Sequence, residues 1–157
     1  MVRRSGVERL ARVLVVDDSP DNRRFVAACL RSDDVVIDEA GDGLTALGLV
    51  LERRPDVVVL DVDLPVLDGL GALRGIRAAG LGPDDVRVIA LTARSEPDAS
   101  ARCTEAGADD YLAKPVRDPS VLRGKVRAHL ADLSYRRTAA PMATSLLGAR
   151  SNNRYFF

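Results

Sequence analysis

The sequence predicts an α/β protein in which a doubly wound, five-stranded parallel sheet is flanked by five helices. Five short runs of apolar, often β-branched residues alternate with segments whose apolar residues recur at helical spacing. The runs are residues 13–16, 35–37, 57–60, 88–91 and 111–113. Strict alternation of strand and helix favours a parallel sheet with helices on both faces, and continuous apolar strands fit that burial.

The five predicted helices are recognised by apolar residues three and four positions apart. Their expected inner faces are, in chain order, Phe25, Val26, Cys29 and Leu30; Leu44, Leu47, Val50 and Leu51; Leu70, Leu73 and Ile76; Ala99, Cys103 and Ala106; and Leu122, Val126, Leu130 and Leu133. Ser19 before Pro20 is typical of a helix start, as is Asp118 before Pro119. Asp68 is expected to cap the third helix.

The chain length and composition indicate one globular domain. With 157 residues, 46% hydrophobic and 29% charged, the chain can bury one core. We expect an N-terminal extension over residues 1–11, the domain over residues 12–132 and a basic, flexible tail over residues 133–157. No apolar run is long enough to span a membrane or to form the core of a signal peptide, so we expect a cytoplasmic protein without membrane contact.

The charges are unevenly distributed along the chain. Its 23 acidic residues all lie at or before Asp132, whereas the last 25 residues carry four arginines and no acid. The domain is therefore net acidic, which argues against direct nucleic-acid binding. The tail could alternatively be a docking segment, with Tyr155, Phe156 and Phe157 as anchors.

Two residue types that often build catalytic or metal sites offer little here. Cys29 and Cys103 lack metal-ligand spacing and lie in predicted helices, which favours buried, reduced thiols. His129 is the only histidine, so we expect neither a multi-histidine metal site nor a catalytic Ser-His-Asp triad built around it, and we expect it on a helix face.

Polar residues follow four of the five predicted strands. Asp17 and Asp18 come after the first strand, Asp61 after the third, Thr92 at the end of the fourth and Lys114 after the fifth. In a doubly wound sheet these positions meet at one edge, where such folds bind ligands. Lys114 is one of only two lysines in the chain, the other being Lys125, for which a solvated helix face is expected.

The residues at this edge suit phosphoryl transfer. Clustered carboxylates repel one another and need a cation, and an oxygen-only ligand set suits Mg²⁺ or Mn²⁺. The ammonium of Lys114 and the hydroxyl of Thr92 suit a phosphoryl group. Asp61 is then the candidate nucleophile, because carboxylates take phosphoryl groups as acyl phosphates.

Four sequence stretches carry a resemblance to a known family. In order, they read LVVDDSPDNRR, VVVLDVDLPVLDG, VIALTA and GADDYLAKP. Over residues 12–132 the chain resembles the receiver domains of two-component response regulators, in particular the single-domain, chemotaxis-regulator-like ones. The resemblance implies the flavodoxin-like receiver fold.

The resemblance implies a role for each acid at the strand ends. Asp61 matches the phospho-acceptor, and Asp18 matches a direct Mg²⁺ ligand. Asp17 matches an acid that acts largely through water, and Asp63 matches the position that gives its backbone carbonyl to the metal.

The resemblance also implies how phosphorylation is read out. Thr92 matches the hydroxyl that bonds the phosphoryl group, Lys114 matches the lysine that pairs with it, and Tyr111 falls at the aromatic switch position. The Lys114–Pro115 bond is expected to be cis. The switch surface would lie on the fourth helix, fifth strand and fifth helix.

The sequence departs from the family pattern at several positions. Val116 stands where the family commonly has phenylalanine. Asp63 and Arg94 flank the path of the hydrolysing water in the family, and we expect a pair between them to lengthen the life of the acyl phosphate. Val121 and Asp132 occupy positions where DNA-binding relatives place a dimer-forming acid and arginine, so at most a weak homodimer of another kind is expected.

The leading functional interpretation is a stand-alone receiver. It would accept phosphate on Asp61 from a histidine kinase or phosphotransfer protein and bind a downstream protein, with no enzymatic activity beyond its own phosphorylation and dephosphorylation. One alternative is a receiver-like module that signals without phosphate. The other alternative is a phosphohydrolase of the haloacid dehalogenase class, because the stretch LDVDLP resembles the DxD nucleophile motif of that class. In those enzymes, however, the nucleophile normally comes before the other acids in the sequence, whereas here Asp17 and Asp18 come first.

Overall fold

A computed structural model describes residues 9–93 and 97–151 of the chain, with only the backbone described from residue 140 onward. Strands and helices alternate throughout, as the sequence predicts. In order they are β1 Ala11–Val16, α1 Pro20–Leu30, β2 Val35–Ala40, α2 Gly43–Arg53, β3 Val57–Asp61, α3 Gly69–Ala78, β4 Arg87–Ala93, α4 Ala99–Ala106, β5 Asp110–Lys114 and α5 Pro119–Ser151.

All five strands form one parallel sheet in the order β2-β1-β3-β4-β5. Strand β2 lies on one side of β1, whereas β3, β4 and β5 follow one another on the other side. This reversal between β1 and β3 is the switch point of a doubly wound sheet. Every residue of β3 is buried, which explains its unbroken apolar sequence before Asp61. The predicted fold class is confirmed.

The two faces of the sheet each form a hydrophobic core. One core joins the sheet to α2, α3 and α4, with Leu60, Leu73 and Ile76 fully buried in it. The other joins the sheet to α1 and α5 through Val59, Leu122 and similar residues. Because alternate residues of each strand enter opposite cores, the strands have little room for polar side chains except at their ends.

Three apolar residues of the predicted helix faces are exposed. Phe25 is 48% exposed, Leu44 58% and Leu51 42%. In α2 the buried positions are instead Gly43, Ala46 and Val50, a narrower stripe than predicted. The prediction placed Leu44 and Leu51 on the inner face because they are hydrophobic, but the face of α2 that packs against the sheet carries the smaller Gly43, Ala46 and Val50.

The predicted helix starts are confirmed. Ser19 Oγ accepts a hydrogen bond of 3.3 Å from Asn22 N, and Asp68 Oδ1 accepts one of 2.6 Å from Gly71 N. Asp118 precedes Pro119, and its Oδ1 accepts a bond of 2.9 Å from Ser120 N. These caps satisfy amide groups that the first helical turn leaves without partners.

Helix α5 does not end near residue 132, where the sequence was expected to change into a flexible tail. Instead it continues to Ser151, a correction to the predicted boundary for residues 133–151. The middle of α5 contacts the domain: Arg136 Nη1 donates to Asp84 at 3.1 Å, and Arg137 Nη1 donates to Asp56 at 2.5 Å. The residues after Ser151, including the anchors suggested for docking, lie outside the described part of the chain.

Among residues 9–93 and 97–151, none of the helices combines the length and apolarity that crossing a membrane requires.

Candidate functional site

The candidate site lies at the carboxyl ends of β1 and β3, the two strands that flank the switch point. Asp17 follows β1 directly, and Asp61 is the last residue of β3. Because these strands are hydrogen-bonded neighbours, the two carboxylates meet there. The position agrees with the edge predicted from the sequence.

Three carboxylates form an acidic cluster at this edge. One oxygen from each of Asp17, Asp18 and Asp61 lies within 4.8 Å of the others. Asp17 and Asp61 are buried, with 2% and 1% exposure, whereas Asp18 faces solvent. Hard oxygen donors at this spacing, open to water on one side, are the ligand set that Mg²⁺ or Mn²⁺ takes in proteins. The residues present therefore fit a divalent cation.

Lys114 is the only cation in contact with Asp61 among the described residues. Its Nζ donates a hydrogen bond of 2.8 Å to Asp61 Oδ1, and Asp63 N donates another of 3.0 Å to the same oxygen. Burial works against the charged form of Lys114, but the hydrogen bond and negative charge of Asp61 outweigh it and raise the pKa of Lys114. Lys114 therefore remains an ammonium in the site.

Asp17 is fixed by its surroundings and carries a shifted pKa. Its Oδ1 accepts a hydrogen bond of 2.9 Å from Ser19 N, and its backbone N donates to Ala40 O at 3.1 Å. Burial, assisted by the nearby charge of Asp61, raises the pKa of Asp17 above its ordinary value. A bound cation would relieve this cost by offsetting the negative charge.

The residues expected to read out phosphorylation lie on β4 and β5. Thr92 lies near the end of β4 and is 3% exposed, and the Lys114–Pro115 peptide bond is cis, as expected. Tyr111 lies on β5 with 46% of its surface exposed. It is thus outside the core, which disfavours the alternative that it serves only as a core residue.

The two residues expected to tune the phosphate lifetime have different outcomes. Asp63 is exposed beside the cluster, where its side chain can meet solvent or a partner. Arg94 lies outside the described residues, so their pairing stays a prediction.

The loop between β3 and α3 approaches the site closely. A Cβ on Gly69 would lie 2.1 Å from the backbone oxygen of Asp61, so only glycine allows this packing. Val66 in the same loop has a φ of 67°, a conformation unfavourable for a β-branched residue, and it is 93% exposed.

A cavity of about 290 Å³ opens next to the cluster, between α1 and the segment after β5. Its lining includes Asn22, Phe25, Lys114 and Val116. Val116, which stands where the family commonly has phenylalanine, thus lines the cavity with a smaller side chain. The half-exposed Phe25 faces the same cavity.

The family comparison gives the class of protein that this fold and site define. The response regulator receiver domain family matches residues 13–127 of the chain. The chain belongs to that family, as the motifs indicated.

Individual relatives agree with this assignment. The transcriptional regulatory protein PrrA of Mycobacterium bovis is 45% identical over 104 residues, which cover 66% of this chain and 43% of PrrA. The response regulator MprA of Mycobacterium sp. strain KMS is 43% identical over 104 residues, 66% of this chain and 44% of MprA. This chain thus spans less than half the length of these curated relatives. The chemotaxis protein CheY4 of Vibrio cholerae is a structural match with a TM-score of 0.68 and 28% identity, covering 76% of this chain and 98% of CheY4.

The sequence patterns identify the acidic cluster, the lysine and the threonine, but not Arg23. The guanidinium of Arg23 donates to the backbone oxygen of Asp17 and to Glu39 on β2. No local pattern marked it, because arginine is the usual basic residue throughout this chain.

Proposed function

We propose that Asp61 accepts a phosphoryl group in a Mg²⁺-dependent reaction and that the phosphorylated domain signals by binding another protein. The observation that carries this proposal is the arrangement of Asp61 beside two further carboxylates, all within 4.8 Å, and 2.8 Å from the Lys114 ammonium. The cluster holds more negative charge than the lysine balances, and family membership supports the same chemistry.

A divalent cation would be held by Asp17, Asp18 and Asp61, with the backbone carbonyl of Asp63 as the fourth protein ligand that the family resemblance implies. When bound, the cation neutralises charge on the carboxylates and on the oxygens of the transferring phosphoryl group. The exposed Asp18 leaves the cluster open to solvent, through which a donor can approach.

The chain's own residues prepare Asp61 for attack. Asp61 Oδ1 is held by Lys114 Nζ and Asp63 N, which fixes the plane of the carboxylate. A carboxylate oxygen of Asp61 forms the new bond to phosphorus while the bond from phosphorus to the donor atom breaks, giving an acyl phosphate. Lys114 then stabilises the phosphoryl oxygens by its positive charge.

The readout proceeds through Thr92 and Tyr111. Thr92 turns its hydroxyl toward the phosphoryl group, and Tyr111 moves from its half-exposed position into the space that this opens. The surface formed by α4, β5 and α5 changes as a result, and a downstream protein binds the changed surface.

The partners and cellular place follow from this chemistry. The phosphoryl donor in this proposal is a histidine kinase or a phosphotransfer protein, and the domain works in the cytoplasm. We infer that this domain makes no direct nucleic-acid contact, which its net acidic charge supports. It catalyses only its own phosphorylation and dephosphorylation.

The proposal is tested by intact mass spectrometry after incubation with Mg²⁺ and acetyl phosphate. We expect one added phosphoryl group on the wild-type chain and none on Asp61→Asn or in EDTA. Asp68→Asn is the matched control, because Asp68 caps α3 near the site and is expected to leave the adduct unchanged. A wild-type chain that gains no phosphoryl group from either acetyl phosphate or a phosphorylated histidine donor would favour the module that signals without phosphate.

The same samples separate the receiver from a phosphohydrolase. A receiver releases phosphate only from its own aspartyl phosphate, whereas an enzyme of the haloacid dehalogenase class would release it steadily from varied phosphate monoesters. The decay of the adduct also tests the lifetime proposal: Arg94→Ala and Asp63→Ala are each expected to speed dephosphorylation. An unchanged decay rate in Arg94→Ala would contradict a shielding pair.

A further inference from the structure

Arg23 joins the acidic site to the end of β2. It lies in the first turns of α1, and its side chain is 22% exposed. Its Nη1 donates a hydrogen bond of 2.8 Å to the backbone oxygen of Asp17, and its Nε donates one of 3.2 Å to Glu39 Oε1. One guanidinium therefore bridges a residue of the cluster and a residue of the neighbouring strand.

The bond to Asp17 replaces a partner that the sheet cannot supply. Asp17 is the first residue after β1, and its backbone N still bonds Ala40 O. Its backbone oxygen lies beyond the strand and accepts from Arg23 instead. With the carboxylate accepting from Ser19 N, Asp17 is held at its amide, its carbonyl and its side chain.

The geometry of this bridge requires arginine. The guanidinium has donors in a rigid planar fork and can bond two acceptors at once, whereas a lysine ammonium is a point charge on a flexible stem. The fork lies close to the backbone of Gly41, where an added Cβ would come within 3.3 Å of Arg23 Nη1. Movement of the fork would release the backbone of Asp17.

We propose that Arg23 is a positioning residue that holds Asp17 in place and so sets the affinity of the acidic cluster for a divalent cation. The proposal rests on the proposed cation site. Arg23 is assigned a positioning role because its two hydrogen bonds go to the backbone oxygen of Asp17 and to Glu39. Residues that orient metal ligands in this way commonly change metal affinity by about 10–100-fold when replaced.

A purely electrostatic role and a positioning role of Arg23 predict opposite changes in cation affinity when Arg23 is replaced by a neutral residue. Arg23 carries a positive charge close to a cation site, so removing that charge alone would tighten cation binding. Loss of positioning would instead weaken it, because Asp17 then has to be ordered when the cation binds. The sign of the change therefore separates the two explanations.

The test measures Mn²⁺ binding to the full chain, with unbound Mn²⁺ counted from its electron paramagnetic resonance signal. Arg23→Gln is expected to raise the dissociation constant about tenfold. Arg23→Lys keeps the charge but loses the fork, and is expected to weaken binding by a smaller factor. Arg24→Gln is the matched control, since it removes the same charge from an exposed neighbour and should leave binding unchanged or slightly tighter.

Two variants of Glu39 distinguish the hydrogen bond from Arg23 to Glu39 from the negative charge of Glu39. Glu39→Gln keeps an oxygen that can accept from Arg23 Nε, so we expect nearly wild-type affinity, whereas Glu39→Ala should weaken binding. In phosphorylation assays, Arg23→Lys should shift the Mg²⁺ concentration for half-maximal rate while keeping the rate at saturating Mg²⁺.

The outcomes are decisive for the two proposals separately. If wild type binds Mn²⁺ and Arg23→Lys and Arg23→Gln bind it equally well or more tightly, the positioning role is wrong and the cation site stands. If wild type binds no Mn²⁺, the cation site and the role of Arg23 are both wrong. Should Arg23→Gln not fold, Arg23→Lys and Glu39→Ala carry the comparison.

Discussion

Strand β3 has a buried aspartate at each end, Asp56 just before its first residue and Asp61 at its last. Asp56 is 5% exposed, and its carboxylate accepts hydrogen bonds from Arg137 Nη1 at 2.5 Å and from Arg12 N at 2.8 Å. Asp61 is 1% exposed, with a single ammonium in contact and two other carboxylates nearby. The charge of the aspartate is thus matched by an arginine at one edge, whereas negative charge is in excess at the other.

The difference separates a stabilising aspartate from a functional one. Acids at the amino edge of the sheet are matched by arginines: Arg87 bonds Asp132 at 2.6 Å, and Arg77 bonds Asp109 at 2.9 Å. At the carboxyl edge the charge is left unbalanced, at a cost in stability that a bound cation can offset. Functional sites commonly carry such a cost.

The largest change in the free energy of unfolding is expected at the amino edge of the sheet, where arginines match the acids. Asp56→Asn should lower the free energy of unfolding by about 2 kcal/mol, because it removes a buried carboxylate that Arg137 and a backbone amide both use. Urea unfolding of the full chain measures it. Asp84→Asn at the same edge is the control, since Asp84 is 68% exposed and should change little. Equal stability of Asp56→Asn and wild type would remove the distinction between the edges.

At the acidic cluster, replacing an aspartate is expected to raise the free energy of unfolding instead of lowering it. The raised pKa of Asp17 means that its ionised form is less stable in the fold than in the unfolded chain, so ionisation lowers stability above the folded-state pKa. Asp17→Asn in EDTA should therefore raise the free energy of unfolding, by about 0.5–2 kcal/mol, the usual gain from relieving such a site.

Adding Mg²⁺ sharpens that test. It should stabilise wild type and stabilise Asp17→Asn much less. In EDTA, the difference between the two should shrink as the pH falls through the raised folded-state pKa of Asp17 and vanish only below its lower pKa in the unfolded chain. A variant that is less stable than wild type in EDTA would show that the cluster costs nothing.

A smaller effect is expected where α5 docks on the amino edge. Arg137→Ala should lower the free energy of unfolding by about 1 kcal/mol, because Arg137 bonds both the buried Asp56 and the backbone oxygen of Asp85. Arg136→Ala is the neighbouring control, whose partners are exposed and whose loss should be much smaller. Thermal unfolding of both variants compares them, and equal losses would mean that burial of the partner is unimportant.

The smallest effect concerns Asp110 at the start of β5. Lys125 donates to its Oδ1 at 2.9 Å, and His129 Nε2 lies 3.2 Å from its Oδ2. Although burial opposes it, these bonds lower the pKa of Asp110 below 3.8. The stabilisation is therefore complete above the unfolded-state pKa and lost as the pH falls through the folded-state pKa.

Asp110→Asn should accordingly cost about 0.5 kcal/mol at neutral pH and nothing in strong acid. Unfolding curves across this pH range measure the difference, and a constant difference at all pH values would contradict an ionic origin.

Much of this protein is determined by local sequence. The alternation of strands and helices, the caps at Ser19 and Asp68 and the acid at the end of β3 all follow from patterns within a few residues. A parallel sheet then brings the ends of its strands together, so Asp17, Asp61 and Lys114 could be placed at one edge without coordinates. Burial of Asp61 against an apolar strand already indicated that it serves a site.

Only the tertiary structure decided the features that depend on distant contacts. The pairing of Asp56 with Arg137 joins residues 81 positions apart, and that contact holds α5 beyond its expected end. Arg23 reaches Asp17 and Glu39 only because α1 packs beside β2. Arginine appears at many positions with the same local pattern, so its role is set by which acceptors the folded chain brings within reach of the guanidinium.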